Sequence, residues 1–188
     1  DHEALARLAI AIFCQVTGRE NEAIEILQKI PESSPWYYKT VLIESYMQKT
    51  VTEINLELCT KLLSLQSTDQ ELESMKYYMA SKYFMYESDE SYRAMLEKSI
   101  HLCKNHVWNL VNLARTYRSS NANMCKMLLC DALDNVEFIG FSHKPDEDII
   151  DVDYFIKSHI NGLYINTSHL RFIINELRPL PHKMPWEK

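Results

Sequence analysis

The sequence is short of glycine. Three glycines among 188 residues leave few places for a left-handed turn or for close approach of backbone to a ligand. No Gly-rich phosphate loop, Gly-x-Ser-x-Gly elbow or His-Glu-x-x-His occurs, so catalysis is not expected and no cofactor is implied. Long apolar runs are missing too. No stretch approaches the roughly 18 residues that cross a bilayer, and Asp1-His2-Glu3 does not open like a signal peptide, so no membrane association is expected. The absent initiator methionine suggests a fragment of something longer. Positive charge is in deficit: a formal net charge of −6 and a pI of about 5.6 withhold the basic footprint of a nucleic-acid binder. The five cysteines, Cys14, Cys59, Cys103, Cys125 and Cys130, are an odd number scattered among apolar positions. They read as reduced, buried thiols, which places the chain inside the cell, cytoplasmic or nuclear.

What is abundant favours helix. Leu, Ile, Met, Ala, Glu and Lys dominate, and one all-α domain is expected, with repeats over 1–136 and capping helices over 137–188. A short apolar phrase returns at a fixed interval: Met79-Ala80-Ser81-Lys82-Tyr83 and Leu113-Ala114-Arg115-Thr116-Tyr117 place Ala80 and Ala114 34 positions apart. Counting back 69 positions, about twice that interval, reaches Ile10-Ala11-Ile12-Phe13-Cys14. Such a period marks stacked helical hairpins, each exposing an apolar face that only its neighbour can cover.

Helical spacing of Leu5, Leu8, Ala9, Ile12 and Val16 predicts a first helix that stops at Thr17-Gly18. A second runs from Glu20 to Ile30 and is broken by Pro31 and Pro35. The second hairpin begins at Trp36, turns over Gln48–Thr52, continues through Ile54 and returns to Leu65. The third spans Gln70–Asn105, capped by Ser67, Thr68 or Asp69 and turning at Ser88-Asp89-Glu90-Ser91. The fourth covers Val107–Val136 and turns at Ser119-Ser120-Asn121. Beyond it, 138–145 reads as a connection, and Pro145 with Asp146-Glu147-Asp148 as the start of a ninth helix lined by Ile149, Val152, Ile156 and Ile160 and ended at Asn161-Gly162. A tenth starts near Thr167 or Ser168, buries Leu170, Ile173, Ile174 and Leu177, and stops before Pro179; Asn166-Thr167-Ser168 reads as its cap, not as a glycosylation site. The tail from Pro181 reads as extended.

Ile10-Ala11, Gly18, Ala23, Leu27, Ile30 and Pro35 sit at the offsets of the tetratricopeptide repeat, and the chain resembles that family over about Ala4–Val136. The resemblance implies a right-handed α-α superhelix of about four hairpins plus C-terminal capping helices. It also implies a protein–protein interaction module, a scaffold or adaptor, whose first helices line a concave groove for a partner peptide or amphipathic helix. Carried over by offset, that groove comprises Ile12, Ile43, Tyr46, Tyr77, Tyr78, Ser81, Phe84, Val111, Asn112, Arg115 and Arg118, with Leu8 and Ala9 beside them. The carboxylate clamp of chaperone-binding members is not reproduced, since Ile12 and Ser81 stand where its asparagines belong.

Other readings stay open at this level. The C-terminal helices could cover the groove themselves, or Trp36, Trp108 and those helices could bury a symmetric contact between two copies. Single-stranded RNA could meet Trp108, Arg115 and Arg118 with Tyr77, Tyr78 and Tyr83, although the overall charge opposes it. His101, Cys103 and His106 lie close in sequence, but on a helix the first two point about 200° apart, so a shared metal ion is not expected.

Overall fold

The computed structural model describes residues 2–48, 56–138, 151–162, 164–165 and 167–179. The anticipated turn through Thr52 with Ile54, the acidic start Asp146–Asp148 with Ile149, Asn166 and the tail from Pro181 lie outside these residues.

Eight helices form four antiparallel hairpins: α1 (His2–Val16) with α2 (Glu20–Leu27), α3 (Tyr37–Met47) with α4 (Leu56–Ser64), α5 (Gln70–Phe84) with α6 (Asp89–Leu102), and α7 (Val107–Tyr117) with α8 (Ala122–Asn135). Each hairpin also packs on the next, α2 on α3, α4 on α5 and α6 on α7, which is the continuity of a helical-repeat stack. Helix starts are set by side chains that accept the orphan amides of the first turn. Of the three candidates for α5, Asp69 does so, accepting from the amides of Glu71 at 2.9 Å and Leu72 at 3.4 Å. Ser88 and Asn121 do the same for α6 and α8. Gly18, at φ 77°, supplies the left-handed turn after α1.

Small residues sit where the helices cross. Ala11, Ala23, Ala80 and Ala114 are all fully buried, so the repeated alanines are interhelical contacts, and with no atoms beyond Cβ they let backbones approach. Between α5 and α6 two serines share the role: Ser74 Oγ donates to the Ser99 carbonyl at 2.8 Å and Ser99 Oγ to that of Ser74 at 2.6 Å. The apolar core runs the length of the stack, from Leu8 and Ile12 through Leu42, Ile43, Leu62, Met75, Met79 and Leu96 to Leu129. Full burial of side chains this size contributes roughly 1.5–3 kcal/mol apiece.

After α8 the chain forms β1 (Glu137–Phe138), and later β2 (Tyr164–Ile165) pairs with it in parallel, Glu137 opposite Tyr164 and Phe138 opposite Ile165. The excursion closed by this two-residue ladder contains a ninth helix, α9, running Val152–Phe155 and continuing as a π-helical turn over Ile156–Asn161. Asp151 caps it, and Gly162 at φ 80° ends it. The last helix, α10 (Thr167–Leu177), packs on α8. Ile173 is fully buried there, whereas Ile174, expected to be buried, is exposed.

The two ends of the stack differ. At the α8 end α10 covers the apolar face; on α1, Leu5, Ile10, Phe13 and Val16 face outward, Ile10 being 51% and Phe13 47% exposed. Among the described residues no helix is long and apolar enough to cross a membrane. Cys14, Cys59 and Cys125 are buried, Cys103 is half-buried, and Cys130, expected inside, is exposed.

Candidate functional site

The first helices of the hairpins, α1, α3, α5 and α7, line one side of the stack, and α9 with its π turn lies across them. Its first turn contacts α1 and its last contacts α7. Between these ends, Lys39 of α3 pairs with Asp153 at 2.5 Å. Ile156 shares a cavity of about 160 Å³ with Leu72 and Met75 of α5. Val152, Phe155, Ile156 and Ile160 are buried against this wall, Phe155 and Ile160 completely.

Tyr46 meets the segment directly: its half-buried ring stands edge-on to Phe155 with centroids 5.6 Å apart and to His159 at 6.0 Å. Burial pushes its phenol pKa up. Tyr78 is buried, packs against the His106 ring at 4.4 Å, and accepts from Asn112 Nδ2 at 3.1 Å through its hydroxyl. Tyr46, Tyr78 and half-buried Asn112 therefore form one contiguous wall, bridged by Lys82, whose ammonium lies 5.9 Å from the Tyr46 centroid and 4.9 Å from that of Tyr78. Among the described residues no carboxylate pairs with Lys82; the two π faces take that place, and burial lowers its pKa to about 8.

The other sequence-derived groove residues separate into groups. Ile12, Ile43, Ser81 and Val111 are fully buried, and Ser81 Oγ donates to the Tyr78 carbonyl at 2.6 Å. These four are buried within the stack and present no surface to a partner. Tyr77 turns toward α6, its centroid 4.1 Å from the Lys98 ammonium, while Phe84 is half-buried against the core. Arg115 and Arg118 are exposed and share one carboxylate of the chain's own last helix: Glu176 Oε1 is 3.1 Å from Arg115 and Oε2 is 2.5 Å from Arg118. Arg115 also covers Phe172 of α10 at 4.8 Å.

Residues outside the anticipated set complete the surroundings. His106 is fully buried at the start of α7, where its Nδ1 accepts from the Asn109 amide at 3.4 Å and Nε2 has no partner. Burial, with the nearby Lys82 charge, pushes its pKa down to about 3, so the ring is neutral. Asn161 Oδ1 accepts from the Val107 amide at 3.3 Å, tying the π turn to the same helix start. Trp108 is occupied by the chain itself: its indole abuts Gly162 and stands edge-on to His169 at 5.2 Å. Trp36 is half-buried against the core, and Trp108 is likewise half-buried. Beside the wall lies a cleft of about 420 Å³ between the end of α5, the start of α6 and the end of α7. Tyr92 and Arg93, which line it, belong to a second helix of a hairpin, so a count over first-helix positions passes them by.

The thiols of Cys59 and Cys125 are pushed up by burial, the opposite of an activated nucleophile. Among the described residues no three metal-ligating side chains converge. The arrangement is a wall, a helical segment packed across it and a charged flank.

No protein-family model matches the chain. No curated protein matches it. Among solved structures it is similar to one titled "Crystal structure of MamA protein", with a TM-score of 0.52 and 16% identity over 94% of this chain and 91% of that one. At that identity the likeness speaks for the fold, and the fold is a tetratricopeptide-like α-α superhelix.

Proposed function

We propose that this chain is a protein-interaction scaffold whose inner wall receives an amphipathic helix, and that residues 152–161 are the resident example of such a helix. The observation behind this reading is the path of that segment. It crosses from α1 to α7 over the first helices, burying Val152, Phe155, Ile156 and Ile160 while Asp153 reaches Lys39 at the edge. A partner helix then needs an aromatic anchor for the Tyr46 face, aliphatic residues beside it and an acidic residue toward Lys39. Binding, and not catalysis, is the activity this geometry serves.

The test supplies the helix from outside. A synthetic peptide of residues 151–162 is added to the full chain carrying Ile160→Ala, which weakens the resident helix. The peptide should raise the melting temperature of the variant, and a peptide with Phe155→Ala should not. If neither peptide binds either chain by fluorescence anisotropy, the reading is lost.

A second reading, self-association, rests on the outward apolar face of α1. Light scattering over a concentration series should then show a dimer that Phe13→Ser abolishes; a monomer at every concentration excludes it.

A further inference from the structure

We propose that the 420 Å³ cleft between α5, α6 and α7 is a binding site for a single carboxylate of a partner polypeptide, an Asp or Glu side chain flanked by an apolar residue. This does not rest on the wall reading, because no residue of the 152–161 segment lines the cleft.

Arg93 is held for the purpose. Its Nη2 donates to the Thr116 carbonyl at 3.0 Å and its guanidinium lies 4.7 Å from the Tyr117 centroid, which fixes the plane of the group. Nε is buried with no acceptor and so is closed to a ligand, but Nη1 makes no hydrogen bond to a described residue, and among the described residues no carboxylate comes within ion-pair distance. Glu97, one turn along α6, is engaged by the Tyr117 hydroxyl at 2.7 Å. A planar, pre-oriented guanidinium with unused donors suits a carboxylate better than a diffuse positive charge would.

The rest of the cleft sets the ligand class. Arg115, on the opposite side, is already half-engaged by Glu176, which it shares with Arg118. Arg115 and Arg118 thus share Glu176, while Arg93 is paired with neither the cleft's own Asp89 nor Glu97. Asp89 sits one turn before Arg93 and opposes a second negative charge, which disfavours a phosphodiester backbone, as does the chain's net charge of −6. Met85 and Tyr92 give the remaining surface an apolar character that a neighbouring side chain can cover. The volume is within the range of about 300–1,000 Å³ typical of ligand sites.

The experiment titrates the full ¹⁵N-labelled chain with acetyl-Phe-Glu-amide and follows the Arg Nε–Hε and backbone amide signals. Saturable shifts are expected at Arg93, Arg115 and Tyr92, with acetyl-Phe-Gln-amide binding about tenfold more weakly or worse. Arg93→Gln should abolish the shifts, and Arg93→Lys, which keeps the charge but not the fork, should weaken them; melting curves confirm that both variants are folded. Acetyl-Phe-phosphoserine-amide and a uridylate hexamer are the comparison arms, expected to bind less well than the glutamate peptide. Equal binding of the Gln peptide, tighter binding of the phosphopeptide or the hexamer, shifts that survive Arg93→Gln, or no shifts at millimolar peptide would each overturn the proposal.

Discussion

The inner wall and the cleft beside it share α5 and α7, yet they are treated in opposite ways. On the wall, Tyr46 and Tyr78 are covered or bonded by other groups of the chain, and Phe155 of α9 is fully buried with its ring against Tyr46. In the cleft, Arg93 and Arg115 stand with donors that the chain does not fully use. Apolar surface left bare costs solubility and stability, so it is covered from within. Exposed charge costs little, so it can remain available. The first region should therefore respond to substitution in stability, and the second in binding.

The largest effect is expected from Phe155→Ala. Emptying a fully buried aromatic site should cost about 3–5 kcal/mol in urea denaturation. A loss below about 1 kcal/mol would mean the segment is loosely held and the comparison fails. Gly162→Ala comes next: its φ is 80°, and a Cβ there would stand 2.5 Å from the Trp108 indole nitrogen. A cost of about 1–3 kcal/mol should follow, with a change in tryptophan fluorescence as the indole shifts.

His106 sharpens the contrast through pH. Below about pH 6.5 the unfolded imidazole takes up a proton that the folded ring refuses until about pH 3. Stability from this group is thus full above pH 6.5 and declines as pH falls, by at most about 1.4 kcal/mol per pH unit. His106→Gln should flatten that slope in melts between pH 7 and pH 4. The smallest effect belongs to the charged flank. Glu176→Gln removes two exposed ion pairs and should cost no more than about 1 kcal/mol, while freeing Arg115 to strengthen the glutamate-peptide shifts. A larger stability loss would show that the flank is structural after all.

Much of the architecture could be read from residue spacing, because repeat packing leaves a local mark. Small residues favour close helix crossings, and Ala11, Ala23, Ala80 and Ala114 are all buried. Helix ends were legible for the same reason, since Ser88, Asn121 and Gly162 act through their own backbone neighbours. The wall was less so. Ile43 and Tyr46 lie three positions apart on α3, but one is fully buried and the other is half-buried against the segment, and helical spacing alone does not separate them. The apolar spacing of Val152, Ile156 and Ile160 announces an amphipathic helix without naming the surface it covers. The cleft left no periodic trace, because Arg93 joins Arg115 only through the packing of α6 on α7.

The two-residue ladder of β1 and β2 clips the excursion bearing α9 at its base, so the resident helix is tethered on both sides. Short tethers of this kind give effective concentrations on the order of millimolar. A free rival with an intrinsic dissociation constant near that value would scarcely compete, and one a thousandfold tighter would look ordinary. On the proposed reading, a partner helix that also held a second point on the stack would compete better.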